Sequence, residues 1–178
     1  MGNLLINGSA EFSPCTTYRY TLERRWDLPG APRRLCAFIM LNPSTADAET
    51  DDPTTRRCMA FARETGHDQY AAVNLFAYRS AWPVHMIEAD APIGPDNDAW
   101  IKGMAERAVR TQGTVVCAWG AHGEYMDRDK AVLGLLARIT GCKPLCLRMT
   151  KSGHPGHPLY IPAPWRPVEF AHARGRAA

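Results

Sequence analysis

The stretch LCAFIMLNPSTAD, residues 35–47, decides the fold. Its first part, residues 35–41, is a continuous apolar run of strand length, which is typical of a strand buried on both faces, as in a parallel sheet. The run ends at Asn42, Pro43 and Ser44, which are residue types that favour turns and caps. We therefore predict a central parallel strand that is followed at once by a polar loop.

Strands and helices alternate along the rest of the chain. Further strands are predicted at residues 18–26 (near a sheet edge), 70–78, 114–119 and 144–149. Helices are predicted at residues 54–65, 97–110 and 127–139, and a loop-rich stretch at residues 83–95. This alternation favours a mostly parallel sheet with helices on both of its faces.

We therefore expect a single α/β domain over residues 1–170. The expected architecture is a three-layer α/β/α fold with a four-stranded, mostly parallel sheet and an N-terminal edge strand or hairpin. Residues 171–178 are expected to be a disordered tail, because the last residues of a domain are poorly ordered unless they are tied down.

Composition is that of an ordinary globular protein. Of the 178 residues, 46% are hydrophobic and 22% are charged, and the formal net charge is +3. The sequence has no run near the ~20 apolar residues of a membrane helix and no pattern of a signal peptide, so we expect a cytoplasmic protein. Its six cysteines are then expected to be reduced, and Cys142 and Cys146 lack a standard metal-ligand spacing.

Unusual polar residues follow each predicted strand. In sheets of this kind ligands bind beyond the carboxyl ends of the strands, so these loops are the expected site. Converging polar groups on four loops favour an enzyme over a structural module. The residues concerned are Asn42, Pro43, Ser44, Asp47, Asp51 and Asp52, then Asn74, Tyr78 and Arg79, then His122, and finally Lys151, His154 and His157.

Several of these residues also have a purely structural interpretation. The turn at residues 42–44 suits a helix cap, and a buried Asn74 has either the neighbouring backbone or a ligand as its partner. The acidic pair at residues 51–52 is expected to cap the next helix, and Arg56 either lies on a solvated face or contacts phosphate. Loop 154–158 holds two histidines between glycine and prolines, as either a surface turn or a functional loop.

The chain as a whole resembles a bacterial family of unknown function. The resemblance covers about residues 18–162 and brings no established activity with it. The matching stretches are MLNPSTAD (40–47), DDPTTRRC (51–58), VNLFAYR (73–79), GPDND (94–98), AWGAHG (118–123) and GHPGHPLY (153–160).

The order of these motifs is also similar to that of the uracil-DNA glycosylase superfamily, a four-stranded parallel α/β/α fold. Its members carry G-x-N-P or G-x-D-P after the first strand; Asn42 and Pro43 match, whereas Met40 replaces the glycine. An Asn that reads the base edge ends their second strand, as Asn74 does here. Their H-P-S-x-L motif is similar to residues 154–159, with glycine in place of serine.

This resemblance implies a DNA glycosylase-like hydrolase of DNA repair that removes a damaged or modified base. Breaking an N-glycosidic bond leaves positive charge on the sugar and negative charge on the base, and the site must stabilise both. Asn42 would position the attacking water, or Asp47 would activate it. Asn74 would bind the base edge, and His154, or else His157, would donate a hydrogen bond to the departing base.

The same resemblance implies DNA as the partner. Leu159 or Tyr160 would wedge into the base stack of a flipped nucleotide. The remaining substrate-binding residues would be Pro43, Ser44, Phe76 and Tyr78, and the phosphate-binding residues would be Arg56, Arg79 and Lys151. No metal, cofactor, membrane or obligate protein partner is expected.

Two other functions stay open at this point. The same crevice suits a hydrolase or transferase of free nucleotides or nucleosides, in which the acidic residues at 47, 51 and 52 would hold Mg²⁺. A non-catalytic reader of nucleic acid or nucleotides would keep the pocket without the chemistry. The site assignment made above predicts that Asn42, Asn74 and His154 line one cavity.

Overall fold

The computed structural model describes residues 6–26 and 33–170, so the tail predicted at residues 171–178 lies outside the described residues. The strands are β1 (Ile6–Phe12), β2 (Arg19–Trp26), β3 (Leu35–Met40), β4 (Gln69–Asn74), β5 (Thr114–Cys117), β6 (Leu145–Cys146) and β7 (Val168–Glu169). The helices are α1 (Pro53–Glu64), α2 (Pro83–Ile87), α3 (Asn97–Arg110) and α4 (Arg128–Leu136), with 3₁₀ segments at Ala121–Asp127 and Pro158–Tyr160.

Within the described residues the strands form one mixed sheet in the order β1-β2-β4-β3-β5-β6-β7. Strands β4, β3, β5 and β6 run parallel to their neighbours in this set, and β1, β2 and β7 pair antiparallel. The predicted α/β class is confirmed, but the prediction of a four-stranded sheet is wrong because the described sheet has seven strands. The expected N-terminal hairpin is present as β1-β2, and it moves β2 away from the edge.

The central strand β3 is buried on both faces, as its apolar run predicts. Its odd-numbered residues, such as Ile39, pack with Ile101 of α3 and Leu136 of α4. Its even-numbered residues, such as Phe38, pack with Phe61 of α1 on the opposite face, with ring centroids 5.8 Å apart. Because side chains alternate along a strand, one apolar run supplies both cores and sets α1 opposite α3 and α4.

Some element boundaries differ from prediction. The predicted helix at residues 97–110 is confirmed as α3, but the stretch predicted as loop contains α2. The sequence pattern gave no bounds for β1 (INGSAEF), although an N-terminal edge strand or hairpin is expected, and it gave no sign of β7 (VE). Neither strand has a clear alternation of apolar and polar residues. In the structure β1 is largely exposed to solvent and both residues of β7 are exposed. Both are recruited by backbone hydrogen bonds to a neighbouring strand, which the amino-acid pattern does not encode.

A β-bulge in β2 redirects its side chains near the end of the sheet. The register between β1 and β2 shifts before Phe12, which leaves Tyr20 as the extra residue. Tyr20 stacks on Trp100 of α3 with ring centroids 6.0 Å apart. Arg19, the preceding residue, instead donates a hydrogen bond to the Ala46 carbonyl, which belongs to the core on the α1 face.

Two glycine substitutions test the close approach of β3 and β5. A Cβ on Gly113 would lie 1.9 Å from the Leu35 carbonyl oxygen, so Gly113→Ala forces the two backbones apart. We expect it to lower the free energy of unfolding by ~1–3 kcal/mol. Gly103→Ala on α3, where a Cβ meets open space, is the matched control and should raise it by up to ~1 kcal/mol. Urea unfolding measures both, and equal effects would contradict the pairing.

Candidate functional site

A cavity of about 870 Å³ opens where the parallel strands end, beside the N-terminus of α1. Its wall includes Leu41 after β3, Trp119 after β5, Met149 after β6 and Pro53 at the start of α1. A volume of this order is enough for a nucleoside or a nucleotide. The position at the carboxyl ends of the strands is the one predicted for this class of sheet.

Part of the predicted site meets in this cavity. Its lining includes Asn42, Ser44, Lys151, His157 and Leu159, which come from the loops after β3 and after β6. The two loops are far apart in sequence and adjacent in space because their strands lie on either side of β5. The fold therefore brings together an amide, a hydroxyl, an imidazole and a cation.

Asn74 and His154 are not among the residues that line the cavity, so the prediction that they share one cavity with Asn42 is wrong. Asn74 is fully buried, pairs in register with the lining residue Met40, and has no hydrogen-bond partner for either amide atom. His154 is also buried, and its Nε2 lies 3.3 Å from a carboxylate oxygen of Glu124. Asn74 thus lies next to the cavity wall, while the His154 ring has a contact of its own with the Glu124 carboxylate.

Asp47 lies outside the cavity lining and shapes its own loop. Its Oδ1 accepts hydrogen bonds from the backbone N–H groups of Glu49 (3.0 Å) and Thr50 (2.8 Å). These two bonds hold the pKa of Asp47 below its usual value. A carboxylate that is stabilised in its charged form is a poor proton acceptor, so the structure gives Asp47 a structural role.

The other predicted contacts also lie away from the lining. Phe76 packs against Tyr125, with ring centroids 5.7 Å apart, in the core on the α3 face. Tyr78 meets Tyr18 edge-on, and Arg79 lies over the ring of Phe12. Each of these side chains is therefore engaged by neighbouring protein groups.

Pro43 and Arg56 hold the loops around the cavity entrance. The buried Pro43 accepts a hydrogen bond from the Ser80 backbone N–H at 2.9 Å. Arg56 is exposed and donates to the Asp51 carbonyl at 2.5 Å. Their positions fit the structural interpretation that the sequence left open.

Asn42 has a fixed amide orientation. Its Nδ2 donates to the Ser80 carbonyl at 2.8 Å and to the Pro43 carbonyl at 3.2 Å. Within the described part of the chain its Oδ1 accepts no hydrogen bond. The side chain therefore offers the cavity an oriented acceptor, because both of its donors are directed at backbone carbonyls.

Asp52 caps α1, as predicted, and also lines the cavity. Its Oδ1 accepts from the Thr55 backbone N–H at 2.7 Å, which leaves the second carboxylate oxygen without a partner in the described residues. Among the residues of the lining, Asp52 is the only carboxylate. The cavity thus contains one negative charge at a fixed position.

His157 is partly buried in the cavity wall. Burial lowers the pKa of its imidazole below the usual value, and the nearby Asp52 opposes this effect. Its Nδ1 accepts a long hydrogen bond, 3.4 Å, from the Leu159 backbone N–H. The neutral ring therefore carries its hydrogen on Nε2, which makes that nitrogen a donor.

Arg19 is the site residue that sequence reasoning missed. It lines the cavity although it is only 2% exposed, and burial lowers its pKa to about 10. The stretch YRYTLERRW predicts a strand near an edge, on which an arginine would be expected to face solvent. The bulge at Tyr20 turns it inward, and no local pattern reports that bulge.

Residues 19–159 match the family described as "Protein of unknown function (DUF1643)". The chain belongs to this family. The predicted membership of a family of unknown function is thereby confirmed. No curated protein and no solved structure matches the chain. The resemblance of this DUF1643 protein to the uracil-DNA glycosylase superfamily accordingly remains a hypothesis.

Two further observations on this DUF1643 protein concern metal ions and membranes. Among residues 6–26 and 33–170, no three His, Cys, Asp or Glu side chains are grouped closely enough to hold a metal ion. In the same residues no helix has the length and apolar character needed to cross a membrane.

The pKa of His157 gives a prediction for pH. Because the folded pKa lies below the unfolded value of 6.5, folding favours the neutral ring. The resulting stability is complete above about pH 6.5 and is lost as the pH falls through the folded pKa. By NMR we expect the His157 ring to titrate with a midpoint below 6.5, assigned by the resonance that His157→Gln removes. A midpoint above 6.5 would contradict the burial argument.

Proposed function

We propose that this DUF1643 protein hydrolyses the N-glycosidic bond of a damaged or modified base in DNA. The observation that carries the proposal is the Asn42 amide, whose orientation is fixed by Ser80 and whose Oδ1 is free in a cavity of nucleoside size. Such an acceptor can hold one water molecule by its O–H group and direct the oxygen lone pair at a bound sugar. Because an amide is not a base, turnover would be slow.

The charge that develops during cleavage has matching groups in the lining. The sugar gains positive charge, which the Asp52 carboxylate would stabilise. The departing base gains negative charge, to which the Nε2–H group of His157 would donate a hydrogen bond. On this geometry we favour His157 over His154 as the donor, since His154 does not line the cavity.

The rim of the cavity supports a nucleic-acid substrate. Leu159 is 43% exposed and Tyr160 is 82% exposed, although both are large apolar or aromatic side chains. Such groups can fill the gap that a flipped nucleotide leaves in the base stack. Lys151 and Arg148 are exposed and line the same cavity, where they would contact the phosphate backbone.

The alternative of a Mg²⁺-dependent enzyme of free nucleotides has less support. Of the acidic residues considered for it, Asp47 binds backbone N–H groups and Asp51 pairs with Arg24 at 2.8 Å. Only Asp52 lines the cavity in the described structure. A single carboxylate is a weak anchor for a hard cation that takes several oxygen ligands.

The test is release of free base from oligonucleotides that carry damaged or modified bases, read as abasic sites with and without chelator. Asn42→Ala should lower the cleavage rate at least ~100-fold, since water positioning is lost, while the protein still folds, with an unfolding temperature lowered by only a few degrees through the loss of the bonds to Ser80 and Pro43. Ser152→Ala is the matched control, an exposed loop residue outside the lining, and should leave the rate unchanged. Binding of modified DNA without any abasic product would favour the non-catalytic reader and defeat the proposal.

A further inference from the structure

The cavity contains a buried cation without a carboxylate partner. Of the three guanidinium nitrogens of Arg19, only Nη1 makes a hydrogen bond within the described residues, at 2.5 Å to the Ala46 carbonyl. Its Nε is buried and unpartnered. The guanidinium is therefore held in place by one neutral acceptor, while two of its nitrogens have no acceptor from the described residues.

This arrangement is unfavourable for the empty protein. A charge removed from water is normally paired with an opposite charge or with several hydrogen bonds. Burial lowers the pKa of Arg19 to about 10. Because this value is still well above neutral pH, the side chain remains charged there. The Asp52 carboxylate attracts it from a distance, but makes no direct contact with it among the described residues. A ligand that brings an anionic group to Arg19 would offset the part of this burial cost that Asp52 and the Ala46 carbonyl leave uncompensated.

The surroundings of Arg19 have a positive balance. The lining holds three basic side chains, Arg19, Arg148 and Lys151, and a single carboxylate. The first turn of α1, a helix of 12 residues, contributes Pro53 and Thr54 to the same wall. The positive end of a helix dipole and a planar guanidinium fork both suit the tetrahedral oxygens of phosphate.

We propose that Arg19 and the first turn of α1 form a phosphate-binding subsite on the cavity wall. This subsite is separate from the bond cleavage proposed above, because it concerns where a substrate phosphate is held. The phosphate belongs either to a free nucleotide or to the backbone of a nucleic-acid strand. In both cases the guanidinium fork donates hydrogen bonds to two oxygens of one phosphate group.

Calorimetric titration tests this subsite with inorganic phosphate, a nucleoside 5′-monophosphate, the corresponding nucleoside and a short single-stranded oligonucleotide without terminal phosphate. Arg19→Met should weaken phosphate binding about tenfold or more, since a charge-assisted hydrogen bond is lost. Arg19→Lys keeps the charge but loses the guanidinium fork. Its affinity for phosphate should lie between that of the unaltered protein and that of Arg19→Met. Arg110→Gln, an exposed arginine of α3 outside the lining, is the matched control and should bind as the unaltered protein does.

The ligands distinguish the two sources of phosphate. If only the monophosphate loses affinity in Arg19→Met, the subsite holds a free nucleotide; if the oligonucleotide does, it holds the strand backbone. Phosphate should also raise the unfolding temperature of the unaltered protein but not that of Arg19→Met, a difference that a purely structural arginine would not produce. Equal phosphate affinity in both proteins overturns the proposal. Phosphate binding through Arg19 without base release would leave the subsite standing and reject the glycosylase function.

Discussion

The burial of β3 on both faces and its pairing on both edges govern the rest of this molecule. Phe38 and Ile39 face opposite cores, and the strand is hydrogen-bonded to β4 and to β5 along its length. Because both faces and both edges of β3 are covered by protein, the polar residues that follow it can reach solvent only beyond the end of the strand. Asn42 emerges there, and the loops after β5 and β6 reach the same edge because those strands run parallel to β3. The cavity is a geometric consequence of that one strand.

The site and its wall carry polar groups that the described residues do not satisfy. Beside the cavity the Asn74 amide has no partner among residues 6–26 and 33–170, and within it Arg19 has one acceptor for a buried charge. Groups of this kind lower the stability of an empty protein and are characteristic of places where a ligand completes the hydrogen bonding. By contrast Asp47, His154 and Arg79, which look equally chemical in sequence, are satisfied by Thr50, Glu124 and Phe12. Lack of a partner alone does not mark a functional residue, since the core residue Tyr70 also has an unpartnered hydroxyl, so the assignment of Arg19 to the site depends on its place in the cavity lining as well.

Membership of a family of unknown function leaves this chemistry as the guide to activity. Within the cavity, Asn42, Asp52 and His157 supply an acceptor, a negative charge and a neutral donor. These three suit a reaction in which charge separates between a sugar and a base. Arg19 adds a requirement that any substrate must meet, because a ligand without an anionic oxygen leaves that side chain uncompensated.

The amino-acid sequence by itself determined the α/β class, the two-sided core around β3, helix α3, the Asp52 cap and the edge of the sheet at which the site lies. These features depend on local periodicity and capping, which short windows of sequence contain. Only the tertiary structure decided that seven described strands pair, that His157 rather than His154 faces the cavity, and that Arg19 is buried. The last two depend on how one loop docks and on a single-residue bulge between β1 and β2. A shift of one residue sends a side chain to the other face of a sheet, and that register is set by contacts distant in sequence.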